Sequence, residues 1–252
     1  MTDTSIAATH LAEGDFRVGS VFSRAAVVLS RHFLTFFIVI AISYLPIFLL
    51  AMLARTRTTT DAVDPAQVFN GLASVALILV LSTLGEAIIA HAAFQDMRSR
   101  PVRPAESLNV VLRRVLPIVG NAFVAKVLIF LGFHLLIIPG IILCTMWFVG
   151  LPACVVERLG PLTSLRRSWE LTEGHHWKVF GMALLFSIAS LGSFLIEFEL
   201  GAVAGPTVGL IGKLIWMGLW AAFSAVVGAV TYHDLRVVKE GLTIDQITKV
   251  FD

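Results

Sequence analysis

Long apolar runs with few charges alternate with short polar connections along this chain. A helix needs about 20 apolar residues to cross a bilayer. Six runs approach or exceed that length, at 33–53, 71–94, 118–138, 140–156, 177–198 and 210–232. Segments with a helical apolar period stand before three of them. In 16–31, Val18, Val21, Phe22, Ala25 and Leu29 share a face, with Arg17, Arg24 and Arg31 elsewhere. From Pro104 on, Leu108, Val111, Leu112, Val115 and Val119 share another. In 161–173, Leu162, Leu165 and Trp169 recur at helical spacing, with Arg166, Arg167 and Glu170 on other faces. The pattern predicts an all-α polytopic membrane helix bundle. Six transmembrane helices form three hairpins, each preceded by a cytoplasmic amphipathic surface helix. One integral membrane domain covers 1–252: a loosely ordered N-terminus at 1–15, pseudo-repeats at 16–94, 104–157 and 161–236, and a cytoplasmic tail at 237–252.

Punctuation refines this plan. Pro46 is expected to kink the first span, and 54–70 reads as a polar loop. Pro139-Gly140 predicts a tight turn into span four, with Pro139 at the first helical position, where a missing N–H costs nothing. Gly160-Pro161 and Gly174 bound the third surface helix. Trp177 and Lys178 suit a membrane–water interface. Gly201, Gly205 and Gly209 match the small-residue packing motif. Pro206 interrupts it, so 199–209 reads as a flexible loop, and Ala221, Ala225 and Ala229 are the better close-packing candidates. Thr243 and Gln246 fit a capping box in the tail.

The three units rhyme. Arg24 precedes Phe33, Arg114 precedes Phe123 and Arg167 precedes Trp177 at nearly equal spacing. Span two exits through Phe94-Gln95-Asp96-Met97-Arg98 and span six through Tyr232-His233-Asp234-Leu235-Arg236. Span four exits through Val156-Glu157-Arg158. Orientation follows from Lys and Arg, which concentrate on the cytoplasmic side of membrane proteins. Fifteen fall on one side of the six-span plan and three on the other, with Lys126 inside a span. Both termini are therefore expected in the cytoplasm.

Composition changes the picture in one respect. The chain is 57% hydrophobic and 14% charged, whereas soluble domains carry about 25% charged residues. Its mean hydropathy is +0.87. Polar surface is too scarce to cover a soluble core, so membrane lipids are the expected environment and principal partner. A net charge of +2 gives no reason to expect nucleic acid. No cleavable signal is evident, because the first apolar run is long enough to span. Cys144 and Cys154 lie about 15 Å apart along one helix, too far for a disulfide, and read as apolar packing residues.

Candidate chemistry is sparse. No phosphate loop, zinc-protease helix or nucleophile elbow occurs, so no cofactor is expected. His175-His176 point about 100° apart on a helix and chelate poorly. His32 stands at the repeat position of His176, where a polar interface ring suffices. Charges inside spans carry more information, since each costs about 2.5–3.5 kcal/mol near the bilayer centre. Glu86 and Lys126 lie at equal depth on adjacent antiparallel spans and are candidates for an intramembrane pair. Glu197, Glu199 and Lys213 fall near the outer surface and read as wet. Arg24, Arg114 and Arg167 are expected to lie near the acids that end the even spans, Asp96, Glu157 and Asp234, as solvated orienting pairs.

The stretch PGIILCTMWFVGLPACVVERLGPLTSLRRSWELTEGHHWKVFG, residues 139–181, resembles the glycerophosphoryl diester phosphodiesterase membrane domain family. That family consists of multi-pass bacterial membrane proteins, some fused to a soluble phosphodiesterase barrel. The barrel's His-Arg-Gly signature is missing from this chain. The resemblance thus implies a stand-alone module of the bacterial inner membrane without the hydrolase. The first expectation is a non-enzymatic scaffold or accessory module, with a membrane-protein partner of unknown identity. The alternative is a transporter or lipid-handling protein. A polar cavity reaching the bilayer midplane favours the alternative, and a fully packed bundle favours the scaffold.

Overall fold

The structure, a computed structural model, describes residues 16–56 and 65–240. The described residues form ten helices and no strand. In order these are α1 (Val18–Arg31), α2 (Phe33–Thr56), α3 (Pro65–Met97), α4 (Pro104–Leu112), α5 (Val115–Leu135), α6 (Ile137–Met146), α7 (Gly150–Val156), α8 (Pro161–Thr172), α9 (His176–Ala204) and α10 (Pro206–Glu240). Six stretches are long and apolar enough to cross a membrane: α2, α3, α5, α6 with α7, α9 and α10. Position 59, the tail motif at Thr243 and Gln246, and the N-terminal 1–15 lie outside the described residues.

Helix α10 is the centre of the bundle. It packs on α1, α2, α3, α7, α8 and α9. Val226, Val227, Ala229, Val230, Tyr232 and Leu235 are fully buried along it. Small residues let its neighbours approach: a side chain at Gly218 would strike Ile40 of α2 at 2.7 Å. Outward positions are apolar as well, with Leu34, Leu116 and Phe198 all well exposed. A bundle apolar inside and out is what lipid as solvent permits.

Several boundaries differ from the sequence reading, each for a physical reason. Residues 65–70, expected in a loop, are the first turns of α3, opened by Pro65. Val115 and Val119, assigned to the second amphipathic helix, belong to α5, because the chain breaks at Arg113 and Arg114. The tight turn expected at Pro139-Gly140 lies at Leu136, which is extended. Pro139 then sits in the third position of α6, still among the N–H groups that lack a helical acceptor. The turn is close enough that a side chain at Gly132 would meet the Gly140 backbone at 2.9 Å.

Span four is two helices, not one. Residues 147–149 form a turn between α6 and α7. Pro152 is the cause, since it has no N–H to give the Phe148 carbonyl and its ring crowds that carbonyl. Gly150 bonds to Trp147 instead of Met146. The freed Met146 carbonyl accepts from Ser168 Oγ at 2.7 Å. That demand decides which face of α8 turns inward. Ser164, Leu165, Ser168, Leu171 and Thr172 are buried, while Leu162 and Trp169, which recur with Leu165 at helical spacing, are exposed.

The expected loop at 199–209 is helix on both sides of a single hinge residue. Helix α9 runs to Ala204 and α10 starts at Pro206. Gly205 joins them at φ +93°, ψ +159°, a conformation open essentially only to glycine.

Candidate functional site

A cavity of about 430 Å³ lies among α2, α3, α9 and α10. Its polar lining comes from Tyr44, Glu86, Ser190, Lys213 and Ser224. Trp216, Met217, Trp220 and Ala221 complete one continuous face of α10, following the helical period. Depth follows from the ring of Tyr232, which stands 5.8 Å from that of Phe94. Glu86 is eight residues before Phe94, and Ser224 eight before Tyr232. Both therefore lie about 12 Å in from that level, close to the middle of the apolar stretches.

The donors around this cavity are largely committed. Trp216 Nε1 donates to the Ala189 carbonyl at 3.1 Å and Trp220 Nε1 to the Phe186 carbonyl at 3.4 Å. The two indoles lie parallel, 6.1 Å between centroids. Ser190 and Ser224 each donate to a carbonyl of their own helix. Lys213, which reads as wet from sequence, donates to Glu197 at 2.6 Å and is mostly buried with it.

Glu86 faces this cavity, and the structure does not bring it into contact with Lys126. Among the described residues no hydrogen bond reaches Glu86, and no ion pair within 4.0 Å. Lys126 is exposed on α5 and does not line the cavity. Its charge acts on Glu86 through space only. The two share a depth, but their side chains diverge, because Glu86 turns toward α10 and Lys126 toward the outside of the bundle.

An apolar groove of about 310 Å³ adjoins the cavity. Phe37, Ala41 and Phe48 of α2 line one wall, and Ile211, Ile215 and Leu219 of α10 the other. Tyr44 lines both spaces.

At the end of the bundle that carries the short helices, charges link the units. Arg24 of α1 pairs with Asp234 of α10, and the Asp234 side chain is only 3% exposed. Arg167 of α8 donates to both oxygens of Glu157, at 3.0 and 3.1 Å, and also to Glu240. Burial pulls the Arg167 guanidinium down. The hydrogen bonds to Glu240 and Glu157 outweigh it and hold its pKa above the ordinary arginine value. These contacts are partly buried rather than solvated. The third arginine behaves differently. Arg114 donates to the Leu159 carbonyl at 3.1 Å, and none of the described ion pairs includes it. Asp96 instead receives His32 at 2.9 Å and Arg31 at 3.4 Å.

Sequence reasoning singled out Glu86 but missed the cavity it faces. Tyr44, Ser190 and Ser224 are isolated polar residues in apolar runs, and Trp216 and Trp220 are a tryptophan pair one turn apart within a span rather than at its end. That misplaced pair was the available signal. Among the described residues no group of three metal-ligating side chains converges.

Residues 105–235, just over half of the chain, match the family described as Domain of unknown function (DUF7847). No curated protein and no solved structure matches the chain.

Proposed function

The chain belongs to the DUF7847 family, and from that premise we propose that it is a non-enzymatic multi-pass membrane protein that holds an amphiphile in its intramembrane cavity. One observation carries this reading: a cavity of about 430 Å³ with a carboxylate at its inner wall, deep in the apolar stretch of the bundle. A pure scaffold has no use for such a space, since an unfilled polar hollow forfeits packing and desolvates charge. The adjoining apolar groove gives a tail somewhere to lie.

The proposal includes a topology. Six spans form three hairpins in a bacterial inner membrane, with both termini in the cytoplasm, as the bias of Lys and Arg supports. Helices α1, α4 and α8 lie at the cytoplasmic surface. The exposed Leu162 and Trp169 of α8, and Leu108 and Leu112 of α4, suit contact with lipid at that level. The likeness of 139–181 to the glycerophosphodiester phosphodiesterase membrane domain supports an accessory role beside lipid chemistry performed elsewhere.

Native mass spectrometry of protein released from mild detergent tests the reading. The expected spectrum carries a retained amphiphile of one class, lost on Ser224→Phe, which fills the cavity. Bare protein from both variants rules the reading out in favour of the scaffold.

A further inference from the structure

We propose that the cavity takes the cationic head of the amphiphile, a protonated amine or quaternary ammonium, with its tail in the groove between α2 and α10. The proposal rests on the amphiphile-holding reading above and names the chemistry of its ligand.

Charge makes the first argument. Lys213 is matched by Glu197 at 2.6 Å. Glu86 has no such match among the described residues, and Lys126 stands outside the cavity. The space therefore holds one acid that no cation touches among the described residues, the charge of Lys126 reaching it only through space. A buried carboxylate is costly without a counter-charge, and a ligand cation supplies one. A phosphate or carboxylate head would face a like charge instead.

The walls make the second argument. The indole N–H groups of Trp216 and Trp220 are bonded to backbone carbonyls of α9. The hydroxyls of Ser190 and Ser224 donate to carbonyls of their own helices. The remaining donors are the Tyr44 hydroxyl and the Lys213 ammonium, and Lys213 already faces the carboxylate of Glu197. Aromatic surface remains, from Tyr44, Trp216 and Trp220, and such surface attracts organic cations through the ring quadrupole. This attraction strengthens where water is excluded.

Continuity makes the third. Tyr44 lines both the polar cavity and the apolar groove. A single-tailed amphiphile with its head at Glu86 thus passes Tyr44 and lays its chain against α2 and α10, with no polar group left in hydrocarbon.

The test uses the full chain in dodecyl maltoside micelles. Decyltrimethylammonium is titrated as the probe, with decyl sulfate as a control of equal tail length, and tryptophan fluorescence and calorimetry report binding. The ammonium is expected to bind saturably, and Glu86→Gln to weaken it by about 10- to 100-fold, the range for losing a charged partner. Glu86→Asp keeps the charge and retains most of the affinity. Should Glu86→Gln not fold, Ser224→Phe, which leaves the charge in place and fills the space, must abolish binding. Equal affinity in Glu86→Gln, or unchanged affinity in Ser224→Phe, overturns the site. Saturable binding of decyl sulfate in place of the ammonium overturns the head-group assignment and leaves the amphiphile reading standing. Failure of both probes, with no lipid in the native spectrum, overturns both.

Discussion

Tyr232 of α10 donates a 2.6 Å hydrogen bond to Glu157 at the end of α7. The tyrosine is fully buried, and the same carboxylate accepts from Arg167 of α8. One acid thus ties together three elements distant in sequence. Tyr232→Phe removes one bond but leaves Glu157 its arginine, at a cost of about 1 kcal/mol. Glu157→Leu orphans a buried hydroxyl and takes one partner from Arg167, at a cost of about 2–3 kcal/mol. Thermal midpoints in dodecyl maltoside check the order. A larger loss for Tyr232→Phe contradicts it.

Arg24 and Asp234 form the equivalent link between α1 and α10. Asp234 is the more buried partner, and beside Arg24 it has the His233 ring at 3.4 Å, so a carboxylate without its arginine is the costly state. Arg24→Ala is expected to destabilise by about 3 kcal/mol, and Arg24→Ala with Asp234→Asn by less. Recovery of monodisperse protein from membranes reads out both. A double variant that fares worse than the single one refutes this account.

The long apolar helices were legible in the sequence because lipid as solvent leaves few polar residues on either face. The linking charges were legible in part. Glu157 and Asp234 stand near span ends, and Arg24 and Arg167 on the short helices that lead into the next spans, where the count of cations and acids is informative. Arg114 shares the repeat position but meets the Leu159 carbonyl, and a rhyme in sequence carries no information about which acceptor lies across the interface. The turn at 147–149 depends on Pro152 acting on a carbonyl four residues earlier, inside a run that reads as one uninterrupted span. The cavity was hidden for a related reason. Its lining comes from four helices, and helix rotation about the bundle axis is set by packing that periodicity does not encode.

Ser168 gives the broken span its own test. Its hydroxyl meets the Met146 carbonyl at 2.7 Å, and Thr172 reaches the same oxygen at 3.4 Å. Ser168→Ala removes the better donor with little change of volume, so a loss of about 1–2 kcal/mol is expected. Ser164→Ala takes an acceptor from buried Asn121, whose Nδ2 donates to it at 2.7 Å, and is expected to cost a similar amount. A thermal midpoint unchanged in either variant rules out these side chains as the groups that seat α8.

Topology is checked by cysteine labelling in sealed cells, after Cys144 and Cys154 are replaced by alanine. A cysteine at Thr59 is expected to react with an impermeant maleimide from outside, and one at Ser99 only after lysis. External labelling at Ser99 inverts the orientation.

The turn between α9 and α10 separates a built hinge from a flexible loop. Gly205 holds φ +93° and ψ +159°, a region that costs other residues about 1–3 kcal/mol. Four residues on, a side chain at Gly209 would stand 2.5 Å from the Glu197 carbonyl oxygen and 2.8 Å from Gly201 Cα. Neither atom is the free end of a side chain, so the helices themselves must part. Glu197 also holds Lys213, which lines the cavity, so the shift reaches that wall. Gly201 itself is different: an added Cβ meets nothing nearer than Pro206 Cα at 3.9 Å, and alanine is the better helix former by about 1 kcal/mol. Gly205→Ala and Gly209→Ala are therefore expected to lower the thermal midpoint, and Gly201→Ala to hold or raise it. A flexible loop would absorb all three changes alike. Equal midpoints across the series would falsify the hinge and the close approach of α9 and α10 that it sets.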